Sequence, residues 1–307
     1  MDKHTIITSL VALVAIVTNA QQRLTVKDSL TQEPVAYTSV WFGDKGGRYT
    51  DDSGTIEIPE GTDRVRLSHI SYQSKSISVA DISEHTVSLV PKIVNLGEVC
   101  VSAKAPKRTK TTTIGTVKEK TRTCHRGTNG FEIALFVPYD STWMETPYIH
   151  SILASLDYST HWLTFTTIKT PIYATLRFDL RQPDDQTGEP KDESVINGGI
   201  IIQPNQKVGK DGVKLLNPIP FPTTGVFVVV EWITTAAVPE SQNLVPALNM
   251  TLSTEGNKTW NKKTFRGMDW MLEQDEPIYQ DELARDTYKG RIPCAKLGME
   301  ITSIIKK

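Results

Sequence analysis

The sequence has few cysteines and, beyond its first twenty residues, no long hydrophobic run. Three cysteines occur in 307 residues, at Cys100, Cys124 and Cys294, too few for a disulfide-rich scaffold. In an exported chain an odd number permits at most one internal bridge, and three unpaired cysteines are an equally good interpretation. The later apolar stretches are much shorter than the roughly 20 residues of a membrane-spanning helix, so we predict no transmembrane segment in the mature chain.

An excess of charge of one sign is also absent. The 34 lysines and arginines nearly balance the 35 aspartates and glutamates, and the formal net charge is −1 at pH 7. Such a chain has no overall electrostatic attraction to nucleic acid or to an anionic membrane. Nucleic acid is therefore not an expected partner, and the composition is typical of a globular protein.

The motifs of common enzyme classes are missing too. No histidine has the spacing of a zinc peptidase site, and no G-x-S-x-G elbow occurs. Cys124 and His125 are adjacent, but neighbouring residues of a strand point to opposite faces, which argues against a nucleophile–base pair. We therefore predict no catalytic residue, no metal site and no cofactor. Glycosidases stay open, because their paired carboxylates are placed by the fold and leave no short motif.

The first twenty residues have the layout of a secretory signal peptide. A short polar start is followed by an apolar core from Ile6 to Val17 and by small residues that end at Ala20. The core is about 12 residues long, which is too short for a membrane-spanning helix. We predict that residues 1–20 direct export to the periplasm, the outer-membrane surface or the medium. An uncleaved anchor or an ordinary buried helix is the alternative.

Residues 21–102 have the pattern of a small β-sandwich. Short alternating stretches are separated by turn residues such as Asp51–Gly54, and no helical period occurs. About seven strands at this spacing favour an antiparallel sandwich. Residues 35–42 carry apolar groups on both faces, which predicts a strand buried on both sides. The predicted strands contain Leu24–Val26, Val35–Phe42, Ile56–Ile58, Val65–Leu67, Ile77–Val79, Val87–Leu89 and Val99–Val101.

Separated blocks of this region resemble one known family. The blocks are Leu24–Ser29, Glu33–Val40, Tyr49–Gly54, Leu67–Tyr72, Val87–Pro91 and Leu96–Val101. In this order they are similar to the carboxypeptidase regulatory-like domain of exported Bacteroidetes proteins, over most of residues 23–101. The resemblance implies a transthyretin-like sandwich of seven strands without catalytic residues, and hence a structural or interaction module. His69–Tyr72 departs from the family, which usually has a glycine before the tyrosine, and puts one turn in doubt.

Residues 103–114 have no apolar period and read as an exposed connector. Lys104, Lys107, Arg108 and Lys110 lie within seven residues and are followed by threonines. Four cations this close are able to contact nucleic acid or anionic lipid. A solvated linker is the stronger interpretation, because charged segments stay hydrated.

Residues 115–307 predict a second, larger sandwich of the jelly-roll type, which makes the whole fold all-β. Residues 149–156 fit either a strand or a short helix. Turn-forming residues fill the gaps at 182–190 and 217–222. The predicted half-buried strands contain Phe131–Val137, Leu163–Thr167, Ile172–Leu180 and Leu248–Leu252, and Val226–Ile233 is predicted as a central strand.

Aromatic residues give the remaining functional clue. They gather in the second domain, at Trp143, Tyr148, Tyr158, Trp162, Trp260, Trp270 and Tyr279. We expect most of them in the core, but exposed rings of this type stack against sugars or anchor interfaces. Trp260 and Trp270 lie in a polar stretch after Gly256 and are the candidate ligand contacts.

The first functional hypothesis is a non-catalytic exported binding or scaffolding protein, whose partner is an envelope protein or a glycan. The alternative is a carbohydrate-binding module or weak glycosidase that uses the aromatics of the second domain. A third is an accessory of outer-membrane assembly, by analogy with proteins that share the first domain. Such analogy at the level of the fold is weak support for a function.

Overall fold

The predicted all-β fold class is confirmed. The computed structural model describes residues 22–92, 109–158, 174–204, 206–233, 245–253, 259–276 and 289–304. These residues form β-strands, turns and short 3-10 helices, and none of their helices is long and apolar enough to cross a membrane. The predicted signal peptide, Cys100 and the predicted strands at 99–101 and 163–167 lie outside the described residues.

Residues 22–92 form a sandwich of two small sheets, called the first sandwich below. One sheet has the order β4-β1-β7 and the other β3-β2-β5-β6, with short 3-10 helices at Gly43–Lys45 and Val79–Asp81. Alternate residues such as Leu24, Val40 and Leu67 fill the space between the sheets. The strands are β1 (Gln22–Asp28), β2 (Ser39–Trp41), β3 (Gly47–Tyr49), β4 (Thr55–Ile58), β5 (Arg64–His69), β6 (Tyr72–Ser78) and β7 (Thr86–Leu89).

Two features of the first sandwich differ from the prediction. The strands β1 and β7 pair in parallel, so the sandwich is not purely antiparallel. The predicted strand at 35–42 is confined to Ser39–Trp41, because Tyr37 has a left-handed backbone with φ +55°. This conformation is costly for a residue other than glycine and interrupts a strand.

Two predicted turns of the first sandwich are present. At Asp51–Gly54, the Asp51 carboxylate accepts hydrogen bonds from the amides of Ser53 and Thr55, and Gly54 has a positive φ. The turn after His69 forms without the glycine that the resembled family has. There the ring Nδ1 of His69 accepts a hydrogen bond of 3.1 Å from the amide of Ser71.

Strands from residue 109 onward form the second sandwich. The strands are β8 (Thr109–Gly115), β9 (Thr123–Arg126), β10 (Phe131–Val137), β11 (Tyr148–Ala154), β12 (Leu156–Asp157), β13 (Thr175–Pro183), β14 (Pro190–Ser194), β15 (Ile200–Ile202), β16 (Val213–Pro220), β17 (Val226–Ile233), β18 (Ala247–Ser253), β19 (Thr259–Lys263), β20 (Met271–Leu272), β21 (Ile292–Ala295) and β22 (Leu297–Ile304). Short 3-10 helices lie at Thr264–Arg266 and Glu273–Asp275. The ambiguous segment at 149–156 is strand except at Ser155, which lies between β11 and β12.

The largest sheet of the second sandwich has the order β14-β13-β17-β10-β19-β20, with β15 also paired to β13. We call it the interface sheet. Its inner face packs on two four-stranded sheets, β16-β11-β22-β8 and the sheet formed by β12, β18, β21 and β9. Val226–Ile233 is the predicted central strand, and all eight of its residues are buried.

Two predicted irregular segments are strands. Residues 109–114 of the predicted connector belong to β8, which pairs with β22 along its whole length, and 103–108 lie outside the described residues. The predicted gap at 217–222 is strand as far as Pro220. Its prolines are tolerated because β16 is the edge strand of its sheet, where an absent N–H breaks no ladder.

The prediction of half-buried strands is wrong for the interface sheet. In β13, Leu176, Phe178 and Leu180 point into the core as expected, yet Arg177 and Asp179 on the opposite face are buried as well. Part of this outer face is covered by the first sandwich: Tyr37 and Tyr49 pack on Ile233 of β17. The charged side chains of the outer face therefore lie between the two sandwiches.

Candidate functional site

A row of charged side chains crosses four adjacent strands of the interface sheet. In the strand register, Arg177 of β13 lies opposite Glu231 of β17, which lies opposite Glu132 of β10, which lies opposite Lys262 of β19. Directly opposed side chains in a sheet have Cβ atoms about 5 Å apart. The two glutamates are therefore neighbours of like charge, which is unfavourable unless cations flank them. The register supplies such a cation at each end.

Glu231 is held from both sandwiches. Its carboxylate accepts a hydrogen bond of 2.9 Å from Nη1 of Arg177 and another from the hydroxyl of Tyr49 in the first sandwich. Arg177 also donates from Nη2 to the backbone carbonyl of Tyr37 at 3.0 Å. This bond accounts for the left-handed turn at Tyr37, which directs a carbonyl at the guanidinium instead of continuing the strand.

Glu132 has its own set of partners within the second sandwich. Its Oε1 accepts a hydrogen bond of 3.0 Å from the hydroxyl of Thr264. Nη1 of Arg181 lies 2.8 Å from Oε2, an ion pair whose angles fall outside those of a hydrogen bond. Nε of Arg181 pairs with Asp179 at 2.8 Å. Each guanidinium is thus shared with at least one buried carboxylate, as a buried charge requires.

The two glutamates respond differently to this environment. Burial raises the pKa of Glu231 above its ordinary value, and the charge of Glu132 adds to the shift against the opposing attraction of Arg177. Burial also acts against ionisation of Glu132, but Arg181 and Lys262 outweigh it, so its pKa lies below the ordinary value. The pair is thus arranged to hold one negative charge more readily than two.

A phenylalanine wedge joins the sandwiches beside this network. Phe265 lies in the short helix after β19, and its ring contacts Tyr49 edge to face with centroids 4.9 Å apart. A Cβ at Gly47 would lie 2.1 Å from Cδ1 of Phe265, and a Cβ at Gly130 would lie 2.5 Å from Cδ2. Both positions therefore require glycine, because the ring occupies the place of a side chain. Asn129 adds a bond of 3.3 Å from Nδ2 to the carbonyl of Gly47.

A cleft of about 370 Å³ opens above the charged row. Glu132, Glu231, Arg177, Arg181 and Lys262 lie on its interface-sheet side. Its opposite wall is the outer face of β2, β5 and β6, with the lining residues Ser39, Trp41, Arg66, Ser68 and Ser74. The volume lies within the range of small-ligand sites, roughly 300–1,000 Å³.

The structure places the two predicted ligand contacts outside the walls of this cleft. Trp270 is only 7% exposed and packs with Ala134, Phe227 and Val229 on the outer face of the interface sheet. The guanidinium of Arg181 lies 5.8 Å from the centre of its ring. Trp260 is partly buried against Phe227, with ring centroids 6.4 Å apart. The Nζ of Lys262 lies 5.7 Å from the centre of the Trp270 ring. Trp270 is therefore not an exposed stacking surface, because the sheet covers its ring and two cations lie near it.

The other residues considered for chemistry lie apart. Cys124 is exposed, whereas the neighbouring His125 stacks on Phe131 with ring centroids 4.5 Å apart. Cys294 is buried and accepts a hydrogen bond from the Thr259 hydroxyl. Within the described ranges, no group of three or more His, Cys, Asp or Glu side chains is arranged to hold a metal ion.

Sequence reasoning missed the charged row, although a signal for it is present. Glu231 interrupts the longest apolar run of the mature chain, and Glu132 and Arg177 stand inside other strongly apolar strands. Charges within strands that are apolar on both sides indicate a buried polar network. The strand partners that assemble these residues into one row depend on the register, which the sequence does not specify.

The fold and the cleft define an all-β protein of two contacting sandwiches with a polar cavity between them. Comparison with known proteins adds no relative: no protein-family model matches the chain, and neither curated proteins nor solved structures match it significantly.

Proposed function

We propose that this protein is a non-catalytic, exported binding protein whose ligand occupies the cleft between the two sandwiches. The proposal rests on one observation: residues of both sandwiches line the cleft, and the charged row of the interface sheet forms its base. Concave sites with a few placed polar groups are the usual form of small-ligand sites, often at domain boundaries. The envelope or cell surface as its location rests on the predicted signal peptide and on the resemblance of residues 23–101.

Binding is favoured over catalysis because the two glutamates at the base of the cleft already have partners within the protein. Glu231 and Glu132 are 4% and 5% exposed, and each is bonded to groups of the protein itself. A general acid or base must reach a substrate proton at hydrogen-bond distance. Carboxylates that are covered and occupied in this way serve to order the sandwiches and to set the polarity of the cleft.

A cleft-filling variant tests the proposal. Ser68→Trp places a large ring on the wall of the cleft, and Thr111→Trp places the same ring on the exposed strand β8 as a control. The full mature protein and both variants are screened on a glycan array and a peptide array. We expect a ligand that the wild type and Thr111→Trp bind and Ser68→Trp does not. A ligand unaffected by Ser68→Trp, or no ligand on either array, would contradict the proposal.

A weak glycosidase is the second candidate, and one observation favours it. Adjacent carboxylates with pKa values displaced in opposite directions are the arrangement that general acid and base pairs use. The test is release of reducing sugar from polysaccharides by the wild type, with Glu231→Gln and Glu132→Gln as inactive controls. Under the binding proposal we expect no turnover. Turnover abolished by both substitutions would replace that proposal with this one.

A further inference from the structure

We propose that the ligand of the cleft is an acidic sugar, meaning a saccharide that carries a carboxylate; this inference rests on the proposed binding function. Cations that the buried network does not neutralise line the cleft, and hydroxyl and indole side chains lie on the wall opposite that network.

Outside the buried network the cleft is lined by three cations, Arg66, Lys92 and Lys262, and by two carboxylates, Asp192 and Asp269, which leaves one cation in excess. Arg177 and Arg181 are neutralised by buried carboxylates, but Arg66 and Lys92 have no ion pair within the part of the chain that the structure describes. The Nζ of Lys262 lies 3.3 Å from Asp192, whose side chain is 73% exposed, and 5.7 Å from the centre of the Trp270 ring. Because the carboxylate side of this ion pair is exposed to water, a ligand anion is able to compete with Asp192 for the lysine.

The pKa of Asp192 responds to cations on both sides of the cleft. Partial desolvation acts to raise the pKa of Asp192, but Lys262, Arg181 and Lys92 together bring it below the ordinary value. Lys92 belongs to the first sandwich side of the cleft and Lys262 to the interface sheet, so cations face an anion from both walls. A second carboxylate from a ligand would enter the same field. Charge-assisted bonds to lysine or arginine are the stronger class of hydrogen bond.

The opposite wall has the groups that recognise a sugar. Ser39 lies opposite Ser68 and Trp41 opposite Arg66 in the pairing of β2 with β5. Residues two apart in a strand share a face, so hydroxyls, an indole ring and a guanidinium lie on one surface. The indole N–H of Trp41 donates to the carbonyl of Gly43 at 2.6 Å, which fixes the ring. A fixed aromatic ring beside hydroxyl groups suits the apolar face and the polar edge of a pyranose.

Binding of monosaccharides by the mature protein tests the inference. D-galacturonate and D-glucuronate are compared with D-galactose and D-glucose by calorimetry at low and high salt. We expect the acids to bind and the neutral sugars to bind at least tenfold more weakly. Lys92→Gln and Lys262→Gln should each weaken the acids about tenfold, since each removes one charge-assisted bond, and high salt should weaken them further. Lys214→Gln on the exposed face of β16 is the matched control and should have no effect.

The outcomes separate the two proposals. Neutral sugars that bind as tightly as the acids and are lost in Ser68→Trp would overturn the acidic-sugar inference and leave the binding function in place. An acidic peptide such as triglutamate that binds in the cleft while the uronates do not would overturn the sugar class only. If no probe binds and the arrays also give no ligand, both proposals fail. Circular dichroism of each variant establishes that a lost signal is not lost folding.

Discussion

The hydroxyl of Tyr49, in the third strand of the first sandwich, donates a hydrogen bond to the carboxylate of Glu231, 182 residues later in the centre of the interface sheet. Both groups are buried. Burial, followed by the charges of Glu231 and Glu132, raises the pKa of Tyr49 well above its ordinary value, so the phenol stays protonated as a donor. One side chain from each sandwich therefore completes a polar network that neither contains alone.

Removal of this hydroxyl should loosen the interface. We expect Tyr49→Phe to lower the free energy of unfolding by about 1–3 kcal/mol, because a buried carboxylate loses a donor without gaining water. Urea denaturation followed by tryptophan fluorescence measures the change. Tyr148→Phe, at a partly exposed ring on β11, is the control and should change stability by less than about 0.5 kcal/mol. Equal effects of the two substitutions would show that the bond between the sandwiches contributes nothing.

The buried pair of Arg177 and Glu231 should behave as a unit. Arg177→Met leaves Glu231 without its cation, and we expect a loss of about 3–5 kcal/mol. In the double variant Arg177→Met/Glu231→Gln the uncompensated charge is gone, so the total loss should be clearly smaller than the sum of the single losses. The measurement is a double-mutant cycle in urea.

A surface pair is the matched control for this cycle. Lys191 lies 3.2 Å from Asp185, whose side chain is 78% exposed. Lys191→Met should cost no more than about 1 kcal/mol, because Asp185 keeps its hydration when the lysine is removed. The buried network would be contradicted by either of two results. One is that the losses of stability in Arg177→Met and Glu231→Gln add up in the double variant, and the other is that Lys191→Met costs as much stability as Arg177→Met.

The wedge of Phe265 should be sensitive to a single methyl group. In Gly47→Ala the new Cβ would lie 2.1 Å from Cδ1 of Phe265, so the ring or the backbone around it must shift. We expect a cost of about 1–3 kcal/mol, typical of overpacking. Gly209→Ala is the control, because a Cβ there meets nothing within 4 Å.

A second substitution makes the cause of this cost specific. Gly47→Ala/Phe265→Ala removes the clashing ring and should lose much less than the sum of the two single losses. Additivity would show that the alanine acts elsewhere, for example on the carbonyl of Val40, which lies 2.8 Å from the same Cβ position.

Acid should destabilise the fold through two histidines. Burial, with help from Arg177 and Lys92, lowers the pKa of His69 to about 3, and burial, with help from Lys263, lowers that of His125 to about 4. The unfolded chain binds these protons near the ordinary pKa of 6.5, so their contribution is complete above pH 6.5 and is lost as the pH falls toward 4 for His125 and toward 3 for His69. At pH 5 the loss is at most about 2 kcal/mol for each histidine.

Thermal unfolding between pH 7 and pH 4.5 checks this sign. In His125→Phe the ring still stacks on Phe131 but no longer titrates, so stability should fall less steeply with acid than in the wild type. His85→Asn, at an exposed position, should leave the slope unchanged. Because the pKa of Glu231 is raised, that residue acts in the opposite direction, and its contribution decreases as the pH rises above its unfolded value. A steeper acid slope in His125→Phe would contradict the assignment to His125.

Part of the fold was predictable because alternation is a local property. Phe131–Val137 and Val226–Ile233 are strands with the predicted bounds, and Asp51–Gly54 is the predicted turn. The predictions failed where a distant partner decides the outcome. The threonines of the predicted connector form strand β8 because β22 pairs with them. The predicted strand at 35–42 is interrupted at Tyr37, whose carbonyl accepts a hydrogen bond from Arg177.

The choice of Trp260 and Trp270 as ligand contacts stays a prediction. Trp260 and Trp270 were selected for the polar sequence around them, but strands that lie elsewhere in the chain bury Trp270 and partly cover Trp260. A different signal, a charge within an apolar strand, marks Glu132, Glu231 and Arg177, and it identifies them only as buried polar residues.

The sequence by itself determined the all-β character, the inward face of each long strand and the local turns, because these follow from side chains close together in the chain. The tertiary structure alone decided that Arg177, Glu231, Glu132 and Lys262 share one row and that Tyr49 closes it from the first sandwich. The physical reason is that strand register and the contact between the sandwiches join residues that are 54 to 182 positions apart in the chain. The energies of those contacts depend on burial that no local stretch of sequence contains.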